Sequence, residues 1–315
     1  GTTHGIYRSI DAGLTWNVTA FNPTNLGWGG LGTNRQIYEV IYHPTIPDLV
    51  YVASNEGLYR STDDMATWTQ VLTATTYEIH FHPTDPNVMY VRPNNSNYIY
   101  VSTNNGLSFF NSGTTPGGNV SRLSVTADCP DCVYAVNGDY VWKSEDQGAS
   151  FSEISNHGLG MYGAFAVSDT DSSQILIGNI DVNMSSDGGQ NFGQTTFWSQ
   201  GNATYATNTA YVHADIRRAR CQNGVFWVST DGFLGRSYDN GITWEIFEGH
   251  SIRENYSLGV SQSNHERTIT GSQDNGTSIH TETGWIEFYG ADGMEGIIHP
   301  LNDDWMIGSL QYGGR

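Results

Sequence analysis

Short runs of Val, Ile, Tyr, Phe and Trp alternate along the chain with clusters of Asn, Asp, Gly, Ser and Pro, the pattern of half-buried strands separated by turns. Several runs come in pairs joined by a proline turn, as in IYEVIYHPTIPDLVYVASNEGLYRS, YEIHFHPTDPNVMYVRP and GIIHPLNDDWMIGSLQYGG. Behind the pairs a second motif recurs, Ser-x-Asp-x-Gly-x-Thr/Ser-Trp/Phe, centred on Asp11, Asp63, Asn104, Asp146, Asp187 and Asp239, at intervals of 52, 41, 42, 41 and 52 residues. A degenerate seventh copy, HTETGWIEF, places Glu282 43 residues after Asp239.

Turn chemistry explains the motif. The Asp or Asn side chain accepts backbone N–H groups, Gly takes a positive φ, and the aromatic tucks under the hairpin. These six residues are therefore expected to be structural. Trp16, Trp68, Phe109, Phe151, Phe192 and Trp244 are expected to be buried at equivalent places. About four strands per repeat, seven times, predict an all-β chain: one seven-bladed β-propeller of four-stranded antiparallel blades over residues 1–315. Radial repetition protects the strand edges that an open sheet leaves bare. The opening GTTHGIYRS aligns with the second half of a blade and the closing MIGSLQYGG with the strand before it. One blade shared by both ends is expected, and the same overlap fits a segment of a longer, multidomain chain.

Composition narrows the partners. Thirty-two acidic residues against 13 basic ones give a net charge of −19, and Lys143 is the only lysine, so a phosphate backbone would be repelled and nucleic acid is not expected. Such acidity also suits a saline habitat. No apolar run approaches the roughly 20 residues that span a bilayer, so membrane insertion is not expected either. Cys129 and Cys132, in DCPDC, read as a small loop disulfide or two free thiols, since structural zinc wants four ligands and no second pair exists. Cys221 is expected to be buried.

The boxes and the HPT-x-P turns resemble the Asp-box superfamily, which includes sialidases, sortilin-type receptors and the family-74 glycoside hydrolases active on xyloglucan. The stretches YVHADIRRARCQNGVFWVSTDGFLGRSYDNGITW and GSQDNGTSIHTETGWIEFYGADGMEGIIHP resemble secreted propeller proteins of Bacteroidota-like bacteria, often exported by the type IX secretion system. The resemblance implies an extracellular or cell-surface location. Fold likeness does not transfer activity. The Arg-Ile-Pro run that usually holds the first sialidase arginine is absent. Where the family-74 enzymes carry a catalytic Asp this chain has Asn55, an amide that cannot act as a general base, with Glu56 beside it. Those enzymes also use a second propeller, and one ring accounts for all 315 residues.

Ligands of propellers usually sit at a mouth of the central channel, which the first strand of each blade lines. On that logic the candidate ligand-binding residues are His213, Asp231, Gln273, Asn275 and Glu295. Asp215, Asp274 and Asp292 are the candidate carboxylates if there is catalysis, because paired carboxylates are what glycoside hydrolysis demands. In HADIR, Arg217 stands where a second His would complete a His-x-Asp-x-His face, so a metal site loses a ligand. Calcium is the one ion whose usual oxygen ligands the region carries, and no cofactor is required. The two 52-residue intervals hold aromatic-rich insertions with Trp28, Trp198, Tyr205 and Tyr211, residues suited to stacking on sugars or packing on the blades. A secreted or surface module binding a glycan or protein is the expectation. The alternative is a glycoside hydrolase acting with a second domain.

Overall fold

The computed structural model describes residues 5–26, 36–115, 118–160, 163–198, 210–247, 255–264 and 266–313. Trp28 and Tyr205 lie outside them. Six four-stranded antiparallel sheets follow one another, each a meander in chain order. The first runs β3 (Ile37–Tyr42), β4 (Val50–Ser54), β5 (Gly57–Ser61), β6 (Thr69–Leu72), and the second β7 (Thr76–Phe81), β8 (Met89–Pro93), β9 (Tyr100–Ser102), β10 (Phe110–Asn111). The third is β11 (Arg122–Val125), β12 (Val133–Asn137), β13 (Tyr140–Ser144), β14 (Ser152–Asn156), and the fourth β15 (Ala164–Val167), β16 (Ile175–Gly178), β17 (Val182–Ser185), β18 (Gly193–Gln194). The fifth is β19 (Arg218–Gln222), β20 (Val225–Ser229), β21 (Leu234–Ser237), β22 (Glu245–Phe247), and the sixth β23 (Asn255–Val260), β24 (Thr268–Ser272), β25 (Gly276–Thr281), β26 (Gly284–Tyr289).

Two hairpins, β1 (Tyr7–Arg8) with β2 (Asn17–Val18) and β27 (Gly293–Ile298) with β28 (Met306–Leu310), supply the four strands of a seventh unit, each as its own sheet. The chain is an all-β, seven-bladed propeller. Among the described residues helix is confined to 3-10 turns such as Gln311–Gly313, and no helix is long and apolar enough to cross a membrane.

The middle strands of the first four sheets are buried on both faces because each of these sheets is sandwiched between two neighbours. β4, β8, β12, β16 and β17 are buried along their whole length, and the core lies between sheets. Tyr51 and Leu58 of the first pack on Ile79 and Met89 of the second. Tyr90 and Val101 meet Leu123 and Trp142 of the third, whose Tyr134 and Val141 meet Phe165 and Ile177 of the fourth. Leu176 and Met184 meet Phe226 and Trp244 of the fifth. Ile6 and Phe21 place the β1–β2 hairpin on Val52 and Tyr59 of the first sheet, and β27 packs on β23 and β24.

All six boxes share one hydrogen-bond pattern. In the fourth, Ser144 Oγ donates to Asp146 Oδ1 at 2.7 Å, Ser150 N donates to the same oxygen at 2.8 Å, and Gly148 N donates to Ser144 Oγ at 2.8 Å. The corresponding bonds recur at Asp11, Asp63, Asn104, Asp187 and Asp239. Two consecutive residues have positive φ, as in a type I′ turn: Gln147 and Gly148 here, Asp64 and Met65 in the second box. Glu282 makes no such turn. It accepts from Asn264 Nδ2 at 2.8 Å, and Thr281 to Gly284 close a plain tight hairpin. The HPT turns are fastened by histidine: His82 Nδ1 accepts Thr84 N and Asp85 N at 3.3 and 3.1 Å, as His43 does for Thr45 and Ile46.

Three expectations need correction. Of the box aromatics only Trp244 is fully buried; Trp68, Phe109, Phe151 and Phe192 are half-buried at the edges of the core clusters. Trp16 is 61% exposed although its Nε1 donates to Gly13 O as Trp244 Nε1 donates to Gly241 O; Trp244 is covered by the fourth sheet, whereas Trp16 joins no core cluster among the described residues. Cys221 is only half-buried, on the first strand of its sheet, with its thiol 3.5 Å from Asp169. The shared terminal blade is not one backbone ladder: among the described residues β1–β2 and β27–β28 do not pair. Cys129 and Cys132 form a disulfide.

Candidate functional site

The first strands carry side chains that link one sheet to the next. Glu39 accepts the backbone N–H of Ile79 at 2.7 Å, Glu78 that of Leu123 at 3.0 Å, and Ser124 that of Val167 at 3.0 Å. Across the centre, Arg220 of β19 donates to Glu39 of β3, and Arg218 Nη2 donates to Tyr38 O at 3.4 Å. The first, second, third and fifth sheets thereby surround a cavity of about 610 Å³ lined by Tyr38, Tyr77, Glu78, Arg92, Arg122 and Arg218, among others. Tyr38, Tyr77, Arg122 and Arg218 stand at the N-terminal ends of their strands, so this is the mouth where the chain enters each blade. Deeper, around His80, Leu123, Phe165 and Ala219, the space shrinks to about 20 Å³. The cavity therefore narrows inward from this mouth like a cup.

Its electrostatics turn on Glu78. Burial raises the Glu78 pKa, but a hydrogen bond from His80 and the charges of Arg92 and Arg122 outweigh it and lower the value to about 2. The carboxylate lies 3.6 Å from Arg92 Nε and 3.4 Å from Arg122 Nε. Burial in turn lowers the pKa of both guanidinium groups, which remain charged at any ordinary pH. The Arg92 guanidinium lies 4.4 Å above the Tyr77 ring, and the Tyr77 and Tyr38 rings are 4.3 Å apart. Burial and a hydrogen bond with Tyr77 push Tyr38 up to about 12, so Tyr38 is neutral.

Most residues singled out by sequence converge beside this cup, joined to it by Arg217. Arg217 Nε and Nη2 grip the two Asp231 oxygens at 2.5 Å each, with Asp215 3.7 Å away. His213 Nε2 meets Asp274 O at 2.9 Å, and Asp274 N donates to Asp292 Oδ1 at 2.8 Å. Asp215 and Asp274 both hold positive φ. The Arg217 bond lowers the Asp231 pKa, while burial, then Asp292 and Asp231, raise that of Asp274. Asn275 Nδ2 spans its own turn to Gln273 O at 2.9 Å. Glu295 is exposed on β27, where its backbone N–H and C=O bond the Ser309 hydroxyl, and no hydrogen bond among the described residues brings it into the cluster. Trp198 is 47% exposed, its N–H on Asp181, whereas Tyr211 is buried. Asn55 accepts from Gln36 N at 2.8 Å and so serves as a structural bracket. No three His, Cys, Asp or Glu side chains among the described residues are placed to hold a metal ion.

Sequence reasoning missed the arginines and tyrosines of the cup. A signal was present: Tyr-Glu opens two successive first strands, Tyr38-Glu39 and Tyr77-Glu78, and Arg92 interrupts VYVAS/MYVRP, where its counterpart Ala53 is apolar.

No known family profile matches the chain, and no curated protein matches it in sequence. Solved structures do match in shape. An ancestral GH74 enzyme aligns with a TM-score of 0.53 at 15% identity, covering 99% of this chain and 56% of its own. The GH74 xyloglucanase of Xanthomonas campestris gives 0.51 at 15%, covering 80% and 45%. The extracellular domain of the putative one-component system BT4673 from B. thetaiotaomicron gives 0.50 at 14%, covering 82% and 34%. The chain spans about half the length of the GH74 enzymes and a third of the sensor domain. Identities this low show a common β-propeller fold, and these neighbours put it to different uses.

Proposed function

We propose that residues 1–315 are an Asp-box propeller of the sortilin-like and family-74-like kind, secreted or held at the cell surface, that binds a ligand in the N-terminal mouth of its channel. It works as one module of a longer chain, in the manner of type IX secretion cargo. The carrying observation is the cup of about 610 Å³, within the 300–1,000 Å³ usual for small-ligand sites and lined by a few convergent polar groups and two aromatics. The resemblance of the boxes and of the HADIR and SQDNG stretches to secreted propellers supports the location, as does the extracellular domain among the structural neighbours. Glycans are the favoured ligand class. No cofactor enters this reading.

A glycoside hydrolase is the second reading, favoured by one observation: Asp231 and Asp274 have pKa values pushed apart in one site, as an acid and a base require. One contact argues against it: Arg217 already grips both oxygens of Asp231, so that carboxylate is committed to an ion pair rather than facing a scissile bond.

The test is a glycan panel titrated against the wild type and Asn119→Trp, which fills the mouth from an exposed rim position. A glycan bound by the wild type and lost in the filled variant is the expected result. Glycans bound equally by both would place the site elsewhere.

A further inference from the structure

We propose that the cup recognises a carboxylate, and that its ligand class is an acidic saccharide bearing a uronate group held by Arg92, Arg122 and Arg218. This rests on the reading that the mouth is the ligand seat. In a chain with 13 basic residues and a net charge of −19, four arginines from three sheets line this one cavity. Two nearby carboxylates are already committed: Asp231 to Arg217 and Glu39 to Arg220. Arg218 reaches Glu39 only at 4.0 Å. With Asp215 also beside Arg217, Arg92, Arg122, Arg217, Arg218 and Arg220 stand against Glu39, Glu78, Asp215 and Asp231, an excess of one positive charge.

The buried Nε atoms of Arg92 and Arg122 face Glu78 at 3.6 and 3.4 Å, so a ligand in the cavity is met by the other N–H edges of these guanidinium groups. A carboxylate accepting from those edges supplies the missing charge, in the planar geometry that arginine matches best. The rest of the cup fits a sugar. Tyr38 and Tyr77 offer an aromatic wall, and the exposed amides of Asn94, Asn95 and Asn119 ring the rim, where they can bond hydroxyl groups. A volume of about 610 Å³ has room for one or two sugar residues inside the cup.

The experiment is calorimetric titration of the full chain with glucuronate, galacturonate and their disaccharides, each beside its methyl ester and the neutral sugar, and with inorganic phosphate. Arg218→Gln is the principal variant because its side chain is 41% exposed and its loss leaves the core intact; Arg122→Gln is the second. The expected result is uronate binding at least tenfold tighter than ester or neutral sugar, weakened at least tenfold in Arg218→Gln with thermal unfolding unchanged. Equal binding of acid and ester overturns the carboxylate assignment while leaving a sugar-binding mouth standing, provided Asn119→Trp abolishes it. Phosphate binding without uronate binding overturns the saccharide assignment. No binding by any probe at 10 mM, where K_d values weaker than about 1–10 mM are reached, overturns the inference, and the neutral panel with Asn119→Trp then decides separately whether the mouth is a site at all.

Discussion

Glu78, on the first strand of the second blade, accepts the backbone N–H of Leu123 on the first strand of the third at 3.0 Å, with its other oxygen 3.4 Å from Arg122. One carboxylate thus fixes the spacing of two blades and the charge of the cup between them. Removing one partner of a buried ion cluster leaves charge uncompensated and costs about 3–5 kcal/mol. Glu78→Ala should therefore lower the unfolding free energy by about that amount in a denaturant titration, whereas Glu245→Ala, at an exposed pair with Arg236, should change it by less than about 1 kcal/mol.

The boxes predict an acid limit. Hydrogen bonds from Thr15, then Ser9, hold Asp11 at about 2, and the corresponding partners hold Asp146 and Asp187 at about 2. A carboxylate whose folded pKa is depressed contributes stability that is fully present above its unfolded value, near 3.9, and is lost as pH falls through the folded value. Stability should hold down to about pH 4 and decline towards pH 2. Asn104 makes the same bonds without titrating, so Asp187→Asn should flatten the decline. An unfolding midpoint equally steep in both proteins between pH 4 and 2 would contradict this.

The Cys129–Cys132 bridge closes a loop with a sequence separation of 3. Chain entropy gives a loop that short on the order of 2 kcal/mol at most. The Cys129→Ala/Cys132→Ala double variant should fold, with a midpoint lowered by a few degrees. Failure to fold would mean that the bridge anchors far more than its own turn.

The sequence made the blades legible because the box is a local device: six Ser-x-Asp/Asn hairpins announce themselves through turn residues that any reader can count. The cup was not legible, because its members come one or two per blade, from Tyr38 to Arg218, and only radial closure brings them together. HADIR and SQDNG drew attention as dense local motifs. They do converge, through His213 and Asp274, but around Arg217, which stands where a second His would ligate a metal and instead clamps Asp231. Trp16 failed for a related reason. Its place in the box is the same as that of Trp244, but burial depends on a neighbouring sheet that the local sequence does not encode.

The claim that this propeller binds rather than hydrolyses is tested most directly by a reducing-sugar assay on xyloglucan, mixed β-glucans and a sialoside, run with the wild type and with Asp215→Ala, Asp274→Ala and Asp292→Ala. Loss of a general acid or base typically costs 10² to 10⁴ in rate, so a true active site would announce itself in at least one variant. The account predicts no turnover above the buffer blank for any of the four proteins. Turnover by the wild type that vanishes in one variant, with its thermal unfolding unchanged, would contradict it and make that carboxylate catalytic.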